Sequence, residues 1–244
     1  MQNELKISRL KDFGEAACML TDSIREKVWA VSSSYYSEHD WAHGPGHVKR
    51  VVRTALEIGK QEDADVEVVE LAAILHDIFE NKETHSGIDG FRHEIEGAKE
   101  ARNILEKLGL AEETIAAVCH CIESHRKRTG TEPRTLEAKC LFDADKLDCI
   151  GAIGIIRSAF VSFDHKQEFY REEEDIGSYK RKNIRPDGTI IDFSKHSSNL
   201  EYDLSLKHVA GRMQTKTGKK LAKERADFMD EFFARLNSEM KGTV

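Results

Sequence analysis

LAAILHDIFE, residues 71–80, decides the reading of this chain. Five apolar residues run straight into His76 and Asp77, so a buried helical segment delivers an imidazole and a carboxylate side by side. An interior charge without a partner is expensive to hold out of water. A divalent cation between the two side chains removes that cost, although a His-Asp dipeptide alone also looks like a helix-end capping pair. What separates the two readings lies at a distance: His47 before the pair, Asp145 after it, and a helix to carry each.

On the N-terminal side, Leu10, Phe13, Ala17, Leu20, Ile24, Val28 and Val31 recur at steps of three and four, the pattern of one helix face. That scaffold helix runs out in SSSYYSEHD. Gly44, Pro45 and Gly46 then precede a helix that begins near His47 and buries Val48, Val51, Val52 and Ala55. The spacing predicts a further helix over 66–79 ending in the His76–Asp77 pair. Consecutive helical residues diverge by about 100°, so both reach one ion only if it sits off the flank between them. A polar loop follows, with Glu80 and Lys82 at its start.

On the C-terminal side, a helix opens at His93 and carries Ile95, Ala98, Ala101, Ile104, Leu105 and Leu108 on one face, with Gly109 as its stop. The next helix buries Ile115, Val118, Cys119 and Ile122, and His125 closes it ahead of Arg126, Lys127 and Arg128. Leu136, Cys140, Leu141 and Phe142 then lead to Asp145, a carboxylate on a buried helix that needs a partner. Residues 164–200 are charged and weakly periodic. They read as a surface loop or lid in which TIIDF, 189–193, pairs briefly as a strand. Two last helices are expected, over YDLSLKHVAG and over TGKKLAKERADFMDEFFARL. In the second, Leu221, Arg225, Phe228, Phe232 and Leu236 share a stripe, turning Arg225 inward toward a carboxylate or an anionic ligand.

The expectation is an all-α single domain: an N-terminal helix in 1–38, a core at 39–163, the charged loop or lid at 164–200, and C-terminal helices at 201–244 packed on the core. With 244 residues, 39% of them hydrophobic, the chain is long enough for one substantial core. The net charge of −7 (37 basic against 44 acidic residues) argues against coating an extended nucleic acid. MQNELKISRLKD lacks the apolar core of a signal peptide, and CIGAIGII at 149–156 stops at Arg157, far short of the roughly 20 residues of a membrane span. A cytoplasmic protein without membrane contact is expected, and a homodimer stays open. Cys18, Cys119, Cys121, Cys140 and Cys149 lack paired zinc-site spacing and suit reduced core thiols.

Taken together, HGPGHVKRV, ELAAILHDI, the helix from His93, the ESH ending in His125, FDADKLDCIGAIGIIR and TKTGKKLAKERADFMDEFF resemble, in this order, a nucleotide-hydrolase-like subgroup of the HD superfamily of metal-dependent phosphohydrolases. The resemblance implies an HD-domain helical bundle in which His47, His76, Asp77 and Asp145 hold one divalent cation. Two imidazoles and two carboxylates suit Mn²⁺, Mg²⁺, Fe²⁺ or Co²⁺, without selecting among them. It further implies catalysis by Asp77 and by Glu80, which sits where related hydrolases orient or deprotonate the attacking water. Lys82, His93, His125 and Arg225 would bind phosphate. Asp148 would support a metal-bound histidine. The substrate implied is a nucleotide or small phosphorylated metabolite, hydrolysed at a phosphate ester or phosphoanhydride. Trp41, Tyr35 and Tyr36 lie near the first ligand, where aromatic residues either stack on a base or fill core.

In the long 164–200 segment the chain departs from the subgroup, as it does in carrying further histidines at 85, 120, 165, 196 and 208. These keep two alternatives in view. One is a di-iron oxygenase similar to the inositol oxygenases, with His93, His120 and His125 on a second iron. The other is a non-catalytic HD module that binds a nucleotide.

Overall fold

Val68, Val69, Leu71, Ala72, Ala73, Ile74 and Leu75 are all buried, and the helix that carries them lies at the centre of the molecule. The computed structural model describes residues 20–37, 40–85, 91–126, 131–173, 175–186 and 188–243. The start of the expected N-terminal helix, with Leu10, Phe13, Ala17 and Cys18, lies outside them, as do Lys127 and Arg128 and the side chain of His85.

Helices α1 (Asp22–Ser33), α2 (Pro45–Glu62), the central α3 (Val66–Leu75), the short α4 (Glu80–His85), α5 (His93–Lys107), α6 (Glu112–Ser124), α7 (Leu136–Leu147) and α8 (Gly151–Asp164) build the bundle. α9 (Ile176–Asn183), α10 (Ser198–Leu204) and α11 (Lys216–Met240) follow. No strand occurs among the described residues. α3 is flanked by α2, α6 and α7, while α5 lies on α6, and α11 on α7 and α8. The ends follow local chemistry: the Asp65 carboxylate accepts from the backbone of Glu67 and Val68 to open α3, and Thr135 caps α7 through Ala138 N. Arg25 Nε donates to Glu70 at 2.9 Å and ties α1 to α3.

The structure corrects four expectations. α3 stops at Leu75, leaving His76 at its cap and Asp77 in the following turn, so the pair sits where the chain leaves the helix. TIIDF forms no strand. Ile190 makes one isolated bridge to Ile184, and Phe193–Lys195 is a 3₁₀ turn. The 164–200 segment carries α9 and is partly interior: Tyr179 donates to or accepts from His196 Nδ1 at 2.7 Å, and Asn183 Nδ2 donates to Tyr179 at 2.7 Å. On α11 the buried stripe is Gly218, Ala222, Met229 and Phe233, whereas Phe228 is half exposed. The sequence offers apolar side chains on neighbouring faces there, and the core accepts the one in step with Gly218. At that glycine a Cβ would stand 2.1 Å from Asp143 Oδ2.

Candidate metal centre

His47 enters the centre from the first turn of α2, whose direction is set by Pro45 at its start and by Gly44 before it. A Cβ on residue 44 would lie 2.2 Å from the Asp40 carbonyl oxygen, so the turn closes this tightly only with glycine. His76 and Asp77 come from the end of α3, and Asp145 from the last turn of α7. All four side chains are buried.

His47 Nε2 faces His76 Nε2 at 3.3 Å, Asp77 Oδ2 at 3.5 Å and Asp145 Oδ1 at 3.6 Å, and His76 Nε2 lies 3.3 Å from Asp77 Oδ2. The other ring nitrogens fix the tautomers. His47 Nδ1 donates to Asp148 Oδ2 at 2.7 Å and His76 Nδ1 to the Ala73 carbonyl at 2.9 Å. With both protons placed there, the two Nε2 lone pairs point at each other and at two carboxylates. Such a set of buried acceptors is complete only with positive charge among them. The residues therefore fit a divalent cation, which His47, His76, Asp77 and Asp145 would hold.

The same logic repeats on the other side of Asp77. Its Oδ1 lies 3.3 Å from both His93 Nε2 and His125 Nε2, which are 3.4 Å apart. His125 Nδ1 donates to the Ile122 carbonyl at 2.6 Å, and His93 Nδ1 lies 2.8 Å from Glu83 Oε2. Asp77 thus joins two clusters that could each hold a metal, His47–His76–Asp145 and Asp77–His93–His125.

Ionisation follows this arrangement. Burial pushes the Asp77 carboxyl up, but neighbouring His76 and the hydrogen bonds of His125 and His47 hold it well below the usual range. Burial lowers His76, and Asp77 more than offsets it. His93 is also opposed by burial, yet hydrogen bonds to Asp77 and Glu83 carry it to about 9. His125 goes the other way, its burial outweighing Asp77. Asp148 lies below the ordinary carboxylate range against its burial because His47 and Arg50 donate to it. Arg50 grips it through Nε at 2.7 Å and Nη2 at 2.9 Å, and Arg157 Nη1 adds 3.0 Å.

The remaining expected residues fall differently. Glu80 Oε2 stands 3.5 Å from His43 Nδ1, and the His43 ring packs edge-on 6.0 Å from that of His47. Lys82 is exposed, with Nζ 4.0 Å above the Phe79 ring. Arg225 does face inward, but its Nη1 donates to the Leu147 carbonyl at the end of α7. His120 accepts from Arg134 N at 3.2 Å and takes no part in the second cluster. Tyr36 donates to the Ile74 carbonyl at 2.9 Å and Tyr35 to Glu100 at 2.7 Å, both in structural roles.

Sequence reasoning passed over His43, Glu83, Arg50 and Arg157. Arg50 was within reach, one helical turn after His47 and on its face. Glu83 and Arg157 belong to the centre only through tertiary contacts, the former also bound by Arg126 Nη1 at 2.8 Å.

Comparison with known proteins agrees with this geometry. Residues 46–150 match the family model described as the HD domain. The protein YpgQ of Bacillus subtilis, itself described as uncharacterized, is 29% identical over 225 residues, which is 91% of this chain and 94% of that one. Its crystal structure in complex with ADP superposes with a TM-score of 0.65 at 24% identity, covering 90% of this chain and all of that one. An HD-superfamily hydrolase from Bacillus thuringiensis gives 0.62 at 25% identity, covering 89% and 96%. A predicted HD superfamily hydrolase from an uncultured Thermotogales bacterium gives 0.57 at 27%, covering 95% and 98%.

Proposed function

We propose that the chain is a divalent-metal-dependent phosphohydrolase acting on a nucleotide or small phosphorylated metabolite, a reading supported by the HD-domain match at residues 46–150 and the similarity to solved HD-superfamily hydrolases. One observation carries this reading: two buried, mutually facing imidazole nitrogens with a carboxylate oxygen from Asp77 and from Asp145 on the same point. A bound divalent cation supplies Lewis acidity toward a phosphoryl oxygen and lowers the pKa of water. Asp148, clamped by Arg50 and Arg157, keeps His47 in the tautomer that presents Nε2. Glu80 orients or deprotonates the attacking water, beside a His43 ring that burial and Arg157 hold below the ordinary imidazole range and therefore neutral. His93 and His125 serve the phosphate side of the substrate or a second cation, the divided carboxylate of Asp77 favouring the latter. The ADP in the YpgQ crystals puts nucleotides at the head of the substrate panel.

Among the described residues no helix is long and apolar enough to cross a membrane. Cys119, Cys121, Cys140 and Cys149 are free thiols, which suits a reducing cytoplasm. The bridged pair of clusters also supports a second reading, an iron pair that activates dioxygen. The test is a screen of Mn²⁺, Mg²⁺, Fe²⁺ and Co²⁺ against nucleoside mono-, di- and triphosphates and generic phosphate esters, run beside Asp77→Ala. Metal-dependent release of phosphate or pyrophosphate that vanishes in the variant is expected. Retained turnover at unchanged metal content would remove the assignment, and oxygen consumption by an iron-loaded sample would replace it with the second reading.

A further inference from the structure

Three aromatic residues stand close in sequence to His47, and the fold uses them unequally. Tyr35 and Tyr36 are tied down by hydrogen bonds, but Trp41 is 68% exposed. Its ring is held in place all the same: it stacks on Phe160 of α8 with centroids 5.5 Å apart and planes 12° from parallel. The turn beneath it is fixed as well, because Asp40 Oδ1 accepts from Ala42 N at 2.9 Å and His43 N at 2.8 Å, and Gly44 N closes on the Asp40 carbonyl at 3.0 Å. Both supports of the pair are anchored in the metal centre. Two residues after Trp41, His43 meets Glu80 and packs against His47, and consecutive Cα atoms are about 3.8 Å apart. Three residues before Phe160 on the same helix, Arg157 binds the Asp148 that holds His47.

An oriented aromatic plane, open on one side and rigidly joined to a phosphate-binding centre, is the form of a base-stacking platform, since stacking accepts any base through its π-face. We propose that Trp41, backed by Phe160, stacks on the heterocyclic base of a nucleoside phosphate whose phosphate chain lies at His47, His76, Asp77 and Asp145. This rests on the proposed phosphohydrolase reading and narrows its substrate class to compounds that carry a base. Ile156 and Phe163, exposed on the same helix, extend the apolar rim past the platform.

The experiment compares ATP and GTP with inorganic tripolyphosphate, which has the same anhydride chain and no base, on the Mn²⁺-loaded full chain. Trp41→Ala is expected to raise KM for the nucleotides about tenfold more than for tripolyphosphate, and Trp41→Phe to recover most of that difference. The chain has two tryptophans, so subtracting the emission of Trp41→Phe, which keeps Trp29, isolates the Trp41 fluorescence; ATP is expected to quench it and tripolyphosphate not to. Equal KM changes for the two substrate types, or equal quenching by both, overturn the platform. So does unchanged binding of ATP in Trp41→Ala with a shift in sedimenting mass, which assigns the face to a second copy of the chain. If the wild type hydrolyses nothing, the hydrolase reading fails, while selective quenching by ATP still upholds the platform and its absence rejects it.

Discussion

Asp143 and Asp145 stand two residues apart on α7, and both are buried. Asp143 faces donors: its oxygens accept from Gln214 N at 2.7 Å, Thr215 N at 2.7 Å and Thr215 Oγ1 at 2.6 Å. Asp145 has Lys146 on one oxygen and, on the other, a group of imidazole and carboxylate acceptors. The first docks the start of α11 on the core; the second belongs to a cluster that could hold a cation. A buried carboxylate is thus not a functional signal by itself. The hydrogen-bonding sense of its neighbours makes the difference.

Exchanging the roles is the strongest way to break this contrast. Asp145→Ala and Asp77→Ala are expected to reduce phosphate release to background while circular dichroism stays helical, because the buried apolar core and not the metal centre holds the helices together. A metal-free melting temperature that falls by many degrees in Asp145→Ala would contradict it. Asp143→Ala should behave in the opposite way: it leaves Gln214 N and Thr215 N without their acceptor and is expected to cost about 3 kcal/mol in urea unfolding. Metal affinity per folded molecule should stay near the wild-type value. Gly218→Ala tests the same joint from the other side, since its Cβ would run into Asp143 Oδ2.

A smaller effect sharpens the metal side. Saturating Mn²⁺ should stabilise the wild type by about 2.7 kcal/mol at a hundredfold excess over Kd, and Asp145→Ala hardly at all. Asp148→Asn, which disturbs the support of His47 together with the grip of Arg50 and Arg157, should weaken metal binding about 10- to 100-fold, read by titration calorimetry. A further effect concerns pH. His93 is raised in the fold to about 9 from an ordinary value near 6.5. In chelated protein its contribution is therefore complete below pH 6.5 and is lost as pH rises through 9. Melting temperature should decline over that window, and Glu83→Gln should flatten the decline.

How far the sequence revealed this depended on whether a group's partner was local. The helices were legible from periodicity, and Gly109 and His93 marked their ends because caps are local chemistry. His47, His76, Asp77 and Asp145 stood out as polar side chains within or beside apolar helical runs on three helices, while their grouping around one ion came from the resemblance. Asp143 escaped, although it sits in the same FDADKLD run, because its donors, two backbone amides and the Thr215 hydroxyl, come some seventy residues later, and backbone amides leave no trace in sequence. Arg225 was read correctly as inward-facing, but its acceptor is a carbonyl for the same reason. The 164–200 segment hid its interior side chains, Tyr179, Asn183 and His196, among charged neighbours whose apolar density was too low to announce a core.

The joint between α7 and α11 also bears on how the protein is made. As the chain leaves the ribosome, the helix carrying Asp145 emerges well before Gln214, Thr215 and Gly218, so Asp143 must wait for its donors. Glu62 on α2 waits too, since its Oε1 accepts from Thr217 N at 2.6 Å. Two carboxylates from earlier helices thus act as latches for α11, and a segment synthesised after the core helices is the one that closes over them.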